Sequence, residues 1–205
     1  MKKLRVAFLV DDCDVSYYVA DLIKFVKKHD NFACPIILTG YAKNNVTRSL
    51  LDKIAVLVTQ SPQKSLDQIV RSVAHRLINK IERRMIFKNF PNYLKKIDIS
   101  VDVEIEKILL EGNWSKSGLI LRFGEGEVTK IRSLELDCIV RCGSGILRGE
   151  ILEAAKFGVL SFHHGDNRVN RGGPSGFWEV LNNIPSSGFV IQKLKDELDG
   201  GEILV

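Results

Sequence analysis

The sequence predicts an α/β fold with a doubly wound, mainly parallel sheet and helices on both of its faces. Short apolar runs rich in β-branched residues alternate with stretches of helical periodicity, which is the order that successive βαβ units produce. The chain has 205 residues, of which 45% are apolar, so it can bury a core of ordinary domain size. We expect a single domain over residues 1–205, with a helical insertion around 45–95.

The first segment predicts a strand, a helix and a second strand. Residues 4–10 form an apolar, β-favouring run that stops at Asp11 and Asp12. A helix should follow with Asp14 as its N-cap, because apolar residues recur there at helical spacing. Those residues are Val15, Val19, Leu22 and Val26. Residues 34–39, closed by Gly40, are typical of the next strand.

The insertion is predicted to be helical and is strongly basic. Two helices are expected, over 46–58 and 65–87, and a proline follows the second. Nine basic residues lie between Lys64 and Lys96 against two acidic ones, in a chain whose net charge is +5. Such a surface could bind nucleic acid or phospholipid, but a solvated helix face is favoured. The apolar residues at four-residue steps from Ile69 to Met85 should pack on a core or on a twin subunit.

The second half of the chain completes the predicted sheet. Residues 97–105 alternate and should form an edge strand, whereas 106–126 give no clear pattern. Further strands are predicted over 137–141, 158–162 and 188–194, with a helix over 146–157. Ligands of such sheets bind beyond the carboxyl ends of the strands. The chemistry should therefore lie just after Val10, Arg141, Phe162 and Leu194.

The cysteines and the hydropathy indicate a cytoplasmic protein. Cys13, Cys34, Cys138 and Cys142 show no C-x-x-C spacing and no disulfide framework. No apolar run reaches the roughly 18 residues that a membrane helix needs. The first apolar run also stops too early for an export signal. Reduced thiols and a chain without a membrane span are the expectation.

Three polar segments should meet at the carboxyl edge of the sheet: 161–168, the glycine-rich loop 170–178, and 195–201. His163 and His164 could ligate zinc, but adjacent histidines lie on opposite faces of a strand and no distant third ligand is evident. The glycines after the 137–141 strand are spaced G-x-G-x-x-x-G, which disfavours a dinucleotide site. Negative charge in the first turn, after Val10, likewise disfavours a bound phosphate there.

Four ordered motifs resemble those of the formyltransferase family, which includes methionyl-tRNA formyltransferase, glycinamide ribonucleotide formyltransferase and the sugar N-formyltransferases. The family pattern contains D-x-I-V with a later I-L, then N-x-H, R-G-x-x-P and L-D-x-G-x-I-L. The corresponding segments here are Asp137–Val140 with Ile146 and Leu147, Ser161–His163, Arg171–Pro174 and Leu198–Leu204. The resemblance covers about residues 137–205 and implies a formyltransferase-like Rossmann variant.

The resemblance implies transfer of a formyl group from 10-formyltetrahydrofolate to an amine, without a metal. It implies that His163 stabilises the oxyanion and moves protons, and that Asp199 orients its imidazole. Ser161 stands where the family has an Asn that donates to the oxyanion, and a hydroxyl is a weaker substitute. The folate-binding residues implied are Gly143, Ile146, Leu147, Asp196, Gly200 and Gly201. The substrate-binding residues implied are Asn167, Arg171, Gly173 and Pro174.

The end of the chain departs from the family pattern. Family members continue beyond the L-D-x-G-x-I-L strand with further helices and commonly a second domain, whereas Val205 is terminal here. The domain is therefore expected to be truncated at its C-terminus. Exposed apolar surface at such a sheet edge favours a homo-oligomer or a missing C-terminal domain.

The acceptor is predicted to be the amine of a sugar or a related small metabolite. A methionyl-tRNA formyltransferase-like enzyme is the alternative: the basic helix favours a nucleic-acid substrate, while the absence of a second domain disfavours it. The remaining hypothesis, motivated by Ser161 and the early end, is a non-catalytic module. Such a module would bind folate or a nucleotide sugar within a larger polysaccharide or glycolipid enzyme.

Overall fold

The structure is a computed structural model that describes residues 2–40, 62–92, 95–165, 177–197 and 201–205. The chain divides into two compact units. The first comprises Met1–Val15, Val19–Lys43 and Ile97–Val205, and the second comprises Ser16–Tyr18 and Asn44–Lys96.

The described strands and helices follow one another in the order α/β proteins show. The strands are β1 (Val6–Leu9), β2 (Asp14–Ser16), β3 (Ile36–Thr39), β4 (Lys96–Asp98), β5 (Glu106–Leu109), β6 (Gly112–Trp114), β7 (Ile120–Phe123), β8 (Cys138–Arg141), β9 (Ile146–Leu147), β10 (Val159–His164), β11 (Phe189–Lys193) and β12 (Glu202–Ile203). The helices are α1 (Tyr17–Lys28), α2 (Pro62–Asn89), α3 (Glu125–Arg132) and α4 (Phe177–Leu181), with a 3₁₀ turn at Glu150–Glu153.

A seven-stranded sheet forms the centre of the first unit, in the order β12-β11-β10-β8-β1-β3-β5. The five strands from β10 to β5 are parallel, while β11 runs antiparallel to β10 and β12 antiparallel to β11. Two smaller sheets pair β2 with β4, and β6 with β7 and β9. The predicted doubly wound, mainly parallel sheet is confirmed.

Both faces of the central sheet are buried, as the alternation along β1 requires. Ala7 and Leu9 belong to one apolar cluster, which also contains Val128 of α3 and Ile151 of the 3₁₀ turn. Phe8 belongs to the other cluster, where the inner face of α1 packs. Each fully buried Val, Leu, Ile or Phe side chain contributes roughly 1.5–3 kcal/mol of transfer free energy. The parallel strands are thus fixed from both sides, and their carboxyl ends are fixed with them.

The first helix begins later than predicted. Asp14 lies in β2, and α1 begins at Tyr17, so the N-cap assignment of Asp14 was wrong. The strand pairing of Asp14–Ser16 with β4 takes precedence over local helix propensity. The residues of α1 that are buried are Ala20, Ile23 and Val26.

The predicted edge strand over 97–105 was wrong beyond Asp98. The Asp98 carboxylate accepts a hydrogen bond of 2.8 Å from the Ser100 backbone amide, which ends the strand in a turn. A second turn follows, in which Asp102 accepts from the amide of Glu104. The stretch 106–126, which gave no clear pattern, contains β5, β6 and β7.

The predicted helix over 146–157 was also wrong. Ile146 and Leu147 form β9, which pairs in parallel with Ile120 and Leu121 of β7. Only a single 3₁₀ turn follows, at Glu150–Glu153. The apolar spacing of this segment suits a helix and a buried strand alike, and the long-range partner in β7 decides between them.

The second unit contains α2, which matches the predicted helix over 65–87, whereas the predicted helix over 46–58 lies outside the described residues. Val73, Leu77, Ile81 and Met85 of α2 are each 50–62% exposed. Packing of this apolar face on a core of the chain is therefore not observed at these residues. Among the described residues, we find no helix with the length and apolar content to cross a membrane.

Candidate active site

A cleft opens at the carboxyl ends of β8 and β10, with β11 beside them. Its volume is about 320 Å³. The lining residues are Arg141, Gly143, Gly145, Ile146, Leu147, Ser161, Phe162, His163, His164, Gln192, Leu194, Lys195, Asp196, Glu197 and Gly201. Strand ends and two loops therefore enclose it, at the edge of the sheet where ligands of such folds bind.

The strand β10 places Ser161 and His163 on one face of the sheet, because residues two apart in a strand share a face. Both line the cleft. His163 is half-buried, whereas His164, which alternates to the other face of the strand but also lines the cleft, is exposed. The strand thus holds the histidine that the resemblance singles out in a partly desolvated position.

Ser161 is the centre of a row of polar residues that crosses three strands. Its Cα is paired in register with Arg141 of β8 on one side and with Gln192 of β11 on the other. Arg141 and Gln192 are both only 5% exposed. Side chains of residues paired in this way lie on the same face, so an arginine, a serine and a glutamine stand side by side at the floor of the cleft.

The Ser161 hydroxyl is engaged within its own strand. Its Oγ donates a hydrogen bond of 3.2 Å to the carbonyl of Phe162. A hydroxyl carries a single proton, so while this hydrogen bond is formed that proton is not available to a ligand.

The opposite wall is the loop 142–145, and its backbone is held by two charged side chains. The Arg141 guanidinium donates to the carbonyls of Ser144 and Gly145. The Asp11 carboxylate accepts from the Ser144 amide, at 2.9 and 3.1 Å from its two oxygens. The peptide groups on both sides of Ser144 are therefore fixed by groups of opposite charge.

Gly145 fits this wall because it has no side chain. Its φ is +78°, in the left-handed region, and an added Cβ would lie 2.7 Å from Cη2 of Trp114. Trp114 belongs to β6, so the loop is backed by the three-stranded sheet that β6, β7 and β9 form.

Asp196 follows β11, lines the cleft and contacts Arg148 and Gly149, which follow β9. Its carboxylate accepts a 3.1 Å hydrogen bond from the Gly149 amide. It also faces the Arg148 guanidinium at 3.9 Å, in a pair whose carboxylate is 66% exposed. An exposed pair of this kind contributes at most about 1 kcal/mol, so Asp196 retains capacity to bind a ligand.

Burial disfavours the thiolate form of the three cysteines near the sheet. Burial raises the pKa of the Cys142 thiol to about 11, although the neighbouring Arg141 charge opposes this. Burial also raises the pKa of Cys138 and of Cys13.

Within the described ranges, no group of three or more His, Cys, Asp or Glu side chains is arranged to hold a metal ion.

The structure brings several of the predicted site residues into one cleft. These are Ser161, His163, Gly143, Ile146, Leu147, Asp196 and Gly201. The others lie outside the described residues: Asp199, Gly200, Asn167, Arg171, Gly173 and Pro174. The individual roles of all of them remain predictions.

Sequence reasoning missed Arg141, Gln192 and Asp11 as residues of the site. Two of them carried a detectable signal, because a charged residue and an amide interrupt the otherwise apolar strands β8 and β11. Asp11 lies in the turn after Val10, where chemistry was expected, but its contact with Ser144 had no local signal because the two residues are 133 apart in the sequence.

An α/β protein with a polar cleft of this kind can be compared with known proteins. No protein-family model matches the chain. Methionyl-tRNA formyltransferase of Bacillus thuringiensis (strain Al Hakam) is 34% identical over 79 residues, which are 38% of this chain and 25% of that protein. Methionyl-tRNA formyltransferase of Bacillus cytotoxicus is 33% identical over 81 residues, 39% of this chain and 26% of that protein. The chain thus spans about a quarter of the length of these relatives.

Among solved structures, glycinamide ribonucleotide transformylase 1 from Symbiobacterium toebii has a similar fold. The superposition covers 99% of this chain and 71% of that one, with a TM-score of 0.53 and 10% sequence identity. At this identity the likeness concerns the fold alone. Together, the partial sequence similarity and the shared fold confirm the predicted resemblance to the formyltransferase family.

Proposed function

We propose that this chain transfers a formyl group from 10-formyltetrahydrofolate to an amine. The observation that carries the proposal is the position of Ser161 and His163 on one face of β10, across the cleft from the loop 142–145. This is the strand on which the N-x-H motif of the family falls, and the relatives named above are formyltransferases.

The residues of the cleft suit a flat, polar ligand such as the folate pterin. The wall at Gly143 and Gly145 presents backbone without side chains, and Ile146 and Leu147 add apolar surface beside it. Asp196 offers a carboxylate that can accept hydrogen bonds from ring N–H groups. We propose that these residues, with Gly200 and Gly201, hold the folate.

Bound 10-formyltetrahydrofolate would supply the formyl group as an activated amide. The imidazole of His163 can accept a proton from the attacking amine or return one to the leaving nitrogen. Asp199 is proposed to orient that imidazole. Because His163 is half-buried in the cleft, its proton transfers are partly shielded from solvent.

For the acceptor, we propose the amine of a sugar or of a related small metabolite. The Asp11 carboxylate at the mouth of β1 is bound to the Ser144 amide, which places negative charge beside the cleft and disfavours a phosphorylated substrate there. Methionyl-tRNA remains a second candidate, since it is the substrate named by the matched relatives.

The test measures tetrahydrofolate release from 10-formyltetrahydrofolate in the presence of amino sugars and, separately, of methionyl-tRNA. We expect His163→Ala to lower kcat by about 10²–10⁴-fold, the range that general acid–base catalysis contributes. His29→Ala is the matched control, because His29 lies beyond the end of α1 and does not line the cleft.

The acceptors separate the candidate functions. Turnover with an amino sugar supports the sugar acceptor, and turnover with methionyl-tRNA alone supports the second candidate. If folate binds but no acceptor supports turnover, the chain is a non-catalytic folate-binding module and the proposed activity is wrong.

A further inference from the structure

We propose that Gln192 supplies the amide hydrogen bond to the formyl oxygen that a family Asn would supply from the position of Ser161. This inference rests on the proposed function. It assigns a catalytic donor to a residue of β11 that none of the sequence motifs contains.

The register of the sheet places Gln192 beside Ser161. The two residues are direct Cα partners in the antiparallel pair of β10 and β11. Directly opposed residues have Cβ atoms about 5 Å apart on the same face. An amide on the longer glutamine side chain can therefore serve the same part of the cleft as an amide at position 161.

Gln192 is a buried polar side chain in the wall of the cleft. It is 5% exposed and lines the cavity together with Ser161 and His163. One side of its amide contacts Gly201, where an added Cβ would lie 2.7 Å from the Gln192 Oε1 atom. The second glycine of the L-D-G-G segment thus makes room for this amide.

In the rotamer observed, the Ser161 hydroxyl is engaged by the backbone of its own strand. It donates to the Phe162 carbonyl at 3.2 Å. His163 is proposed to transfer protons, so a second, neutral donor would stabilise the oxygen while the imidazole changes its protonation state. An amide N–H is such a donor, and it does not change its protonation state during the reaction.

The reaction balances without any change in Gln192. The amine nitrogen forms a bond to the formyl carbon, negative charge grows on the formyl oxygen, and the bond from that carbon to the folate nitrogen breaks. The proton lost by the amine reaches the folate nitrogen by way of His163. Gln192 only donates a hydrogen bond, which is strongest while the oxygen carries charge.

The experiment exchanges the donor between the two strands. Gln192→Met removes the amide at similar side-chain length, and we expect kcat to fall by about 10²–10³-fold, the effect of losing one oxyanion donor. Adding Ser161→Asn to this variant should restore at least about tenfold of that loss. Lys193→Met is the control, because Lys193 alternates to the opposite face of β11 and does not line the cleft.

Binding provides a readout that does not depend on turnover. The first ligand is 10-formylfolic acid, and the second is its analogue with carbon in place of N10, whose aldehyde hydrates to a tetrahedral diol. Gln192→Met should weaken binding of the diol by more than about tenfold and leave binding of 10-formylfolic acid nearly unchanged, since the donor acts on the oxygen of a tetrahedral carbon, whose geometry the diol reproduces.

The outcomes separate the two proposals. If the wild type turns over but Gln192→Met keeps its kcat and its affinity for the diol, the role of Gln192 is wrong and the proposed function stands. If Gln192→Met weakens both ligands equally, or Ser161→Asn restores nothing, Gln192 is structural and the inference is overturned. If the wild type neither binds these folates nor turns over, both proposals fail.

Discussion

The two walls of the cleft are held in place by different physics. On the β10 side, Ser161 and His163 inherit their positions from a ladder of backbone hydrogen bonds that continues through β8 and β11. On the other side, the loop at Ser144 has no ladder, and Asp11 and Arg141 hold its peptide groups.

This difference shows where the site is robust and where it is vulnerable. A side chain on β10 can be replaced without moving its strand, so substitutions there should change chemistry and leave the fold intact. The loop wall depends on one glycine and two charged side chains, so substitutions there should change the shape of the cleft and the stability together.

The largest expected effect on the loop wall comes from Gly145→Ala. A Cβ at this position would collide with the Trp114 ring. The alanine would also have to keep the left-handed backbone φ of +78° that the glycine adopts. We expect a loss of about 2–4 kcal/mol in the free energy of unfolding, from backbone strain and overpacking combined. Urea denaturation measures it.

The matched control is Gly126→Ala, at a helical position in α3 with nothing within 4 Å of an added Cβ. It should leave stability unchanged or raise it by up to about 1 kcal/mol. Equal losses in the two variants would contradict the assignment of Gly145 to a tightly packed wall.

A smaller loss is expected from Arg141→Met. The variant removes a guanidinium that is 5% exposed and leaves the carbonyls of Ser144 and Gly145 without this donor. Hydrogen bonds to charged groups contribute about 1.5–3 kcal/mol, and the apolar replacement recovers part of this. We expect a net loss of about 1–2 kcal/mol and weaker binding of 10-formylfolic acid.

Calorimetric titration with 10-formylfolic acid, combined with urea denaturation, checks both effects of Arg141→Met. An Arg141→Lys variant keeps the charge but not the planar fork of donors, and should fall between the wild type and Met. Unchanged folate affinity in Arg141→Met would show that the loop does not need this guanidinium.

Asp11→Asn should have a milder effect. The asparagine oxygen can still accept from the Ser144 amide, so only the contribution of the negative charge to the hydrogen bond is lost. We expect a decrease of about 0.5–1 kcal/mol, measured by urea denaturation. Asp11→Ala should lose more than Asp11→Asn, and the reverse order would contradict the hydrogen bond.

Thiol reactivity gives the subtlest test of the loop wall, with a cysteine outside the cleft as the reference. Cys34 is exposed, whereas burial raises the pKa of Cys142, the first residue of the loop, to about 11. At pH 8 only about one Cys142 in a thousand is then thiolate, the reactive form. Iodoacetamide should modify Cys34 first, and the Cys142 rate should rise with pH up to about 11. Mass spectrometry of digested protein measures both rates. Equal rates at pH 8 would contradict the burial of the Cys142 thiol.

The sequence predicts the β10 side of the site better than the loop side. The β-branched, alternating runs around Val140, Ser161 and Ile191 determine strands, and strand order fixes which residues share a face. The helix predicted over 146–157 failed because Ile146 and Leu147 pair with β7, and local spacing cannot reveal a distant partner.

The same limitation explains the residues that were missed. The contact of Asp11 with Ser144 joins two turns that follow different strands, and Arg141 meets Ser161 and Gln192 only once the strands are in register. A sequence motif consists of residues at fixed spacing along the chain. Asp11, Arg141 and Gln192 come together only when their strands pair in the sheet.

The most direct measurement of the central claim, that this cleft holds a folate formyl group against His163, is an NMR titration with 10-formylfolic acid. We predict saturable binding with a nuclear Overhauser effect between the formyl proton and the ring protons of His163, and none to those of His29. Binding that saturates without a contact to His163, or no binding at all at millimolar folate, would contradict the account.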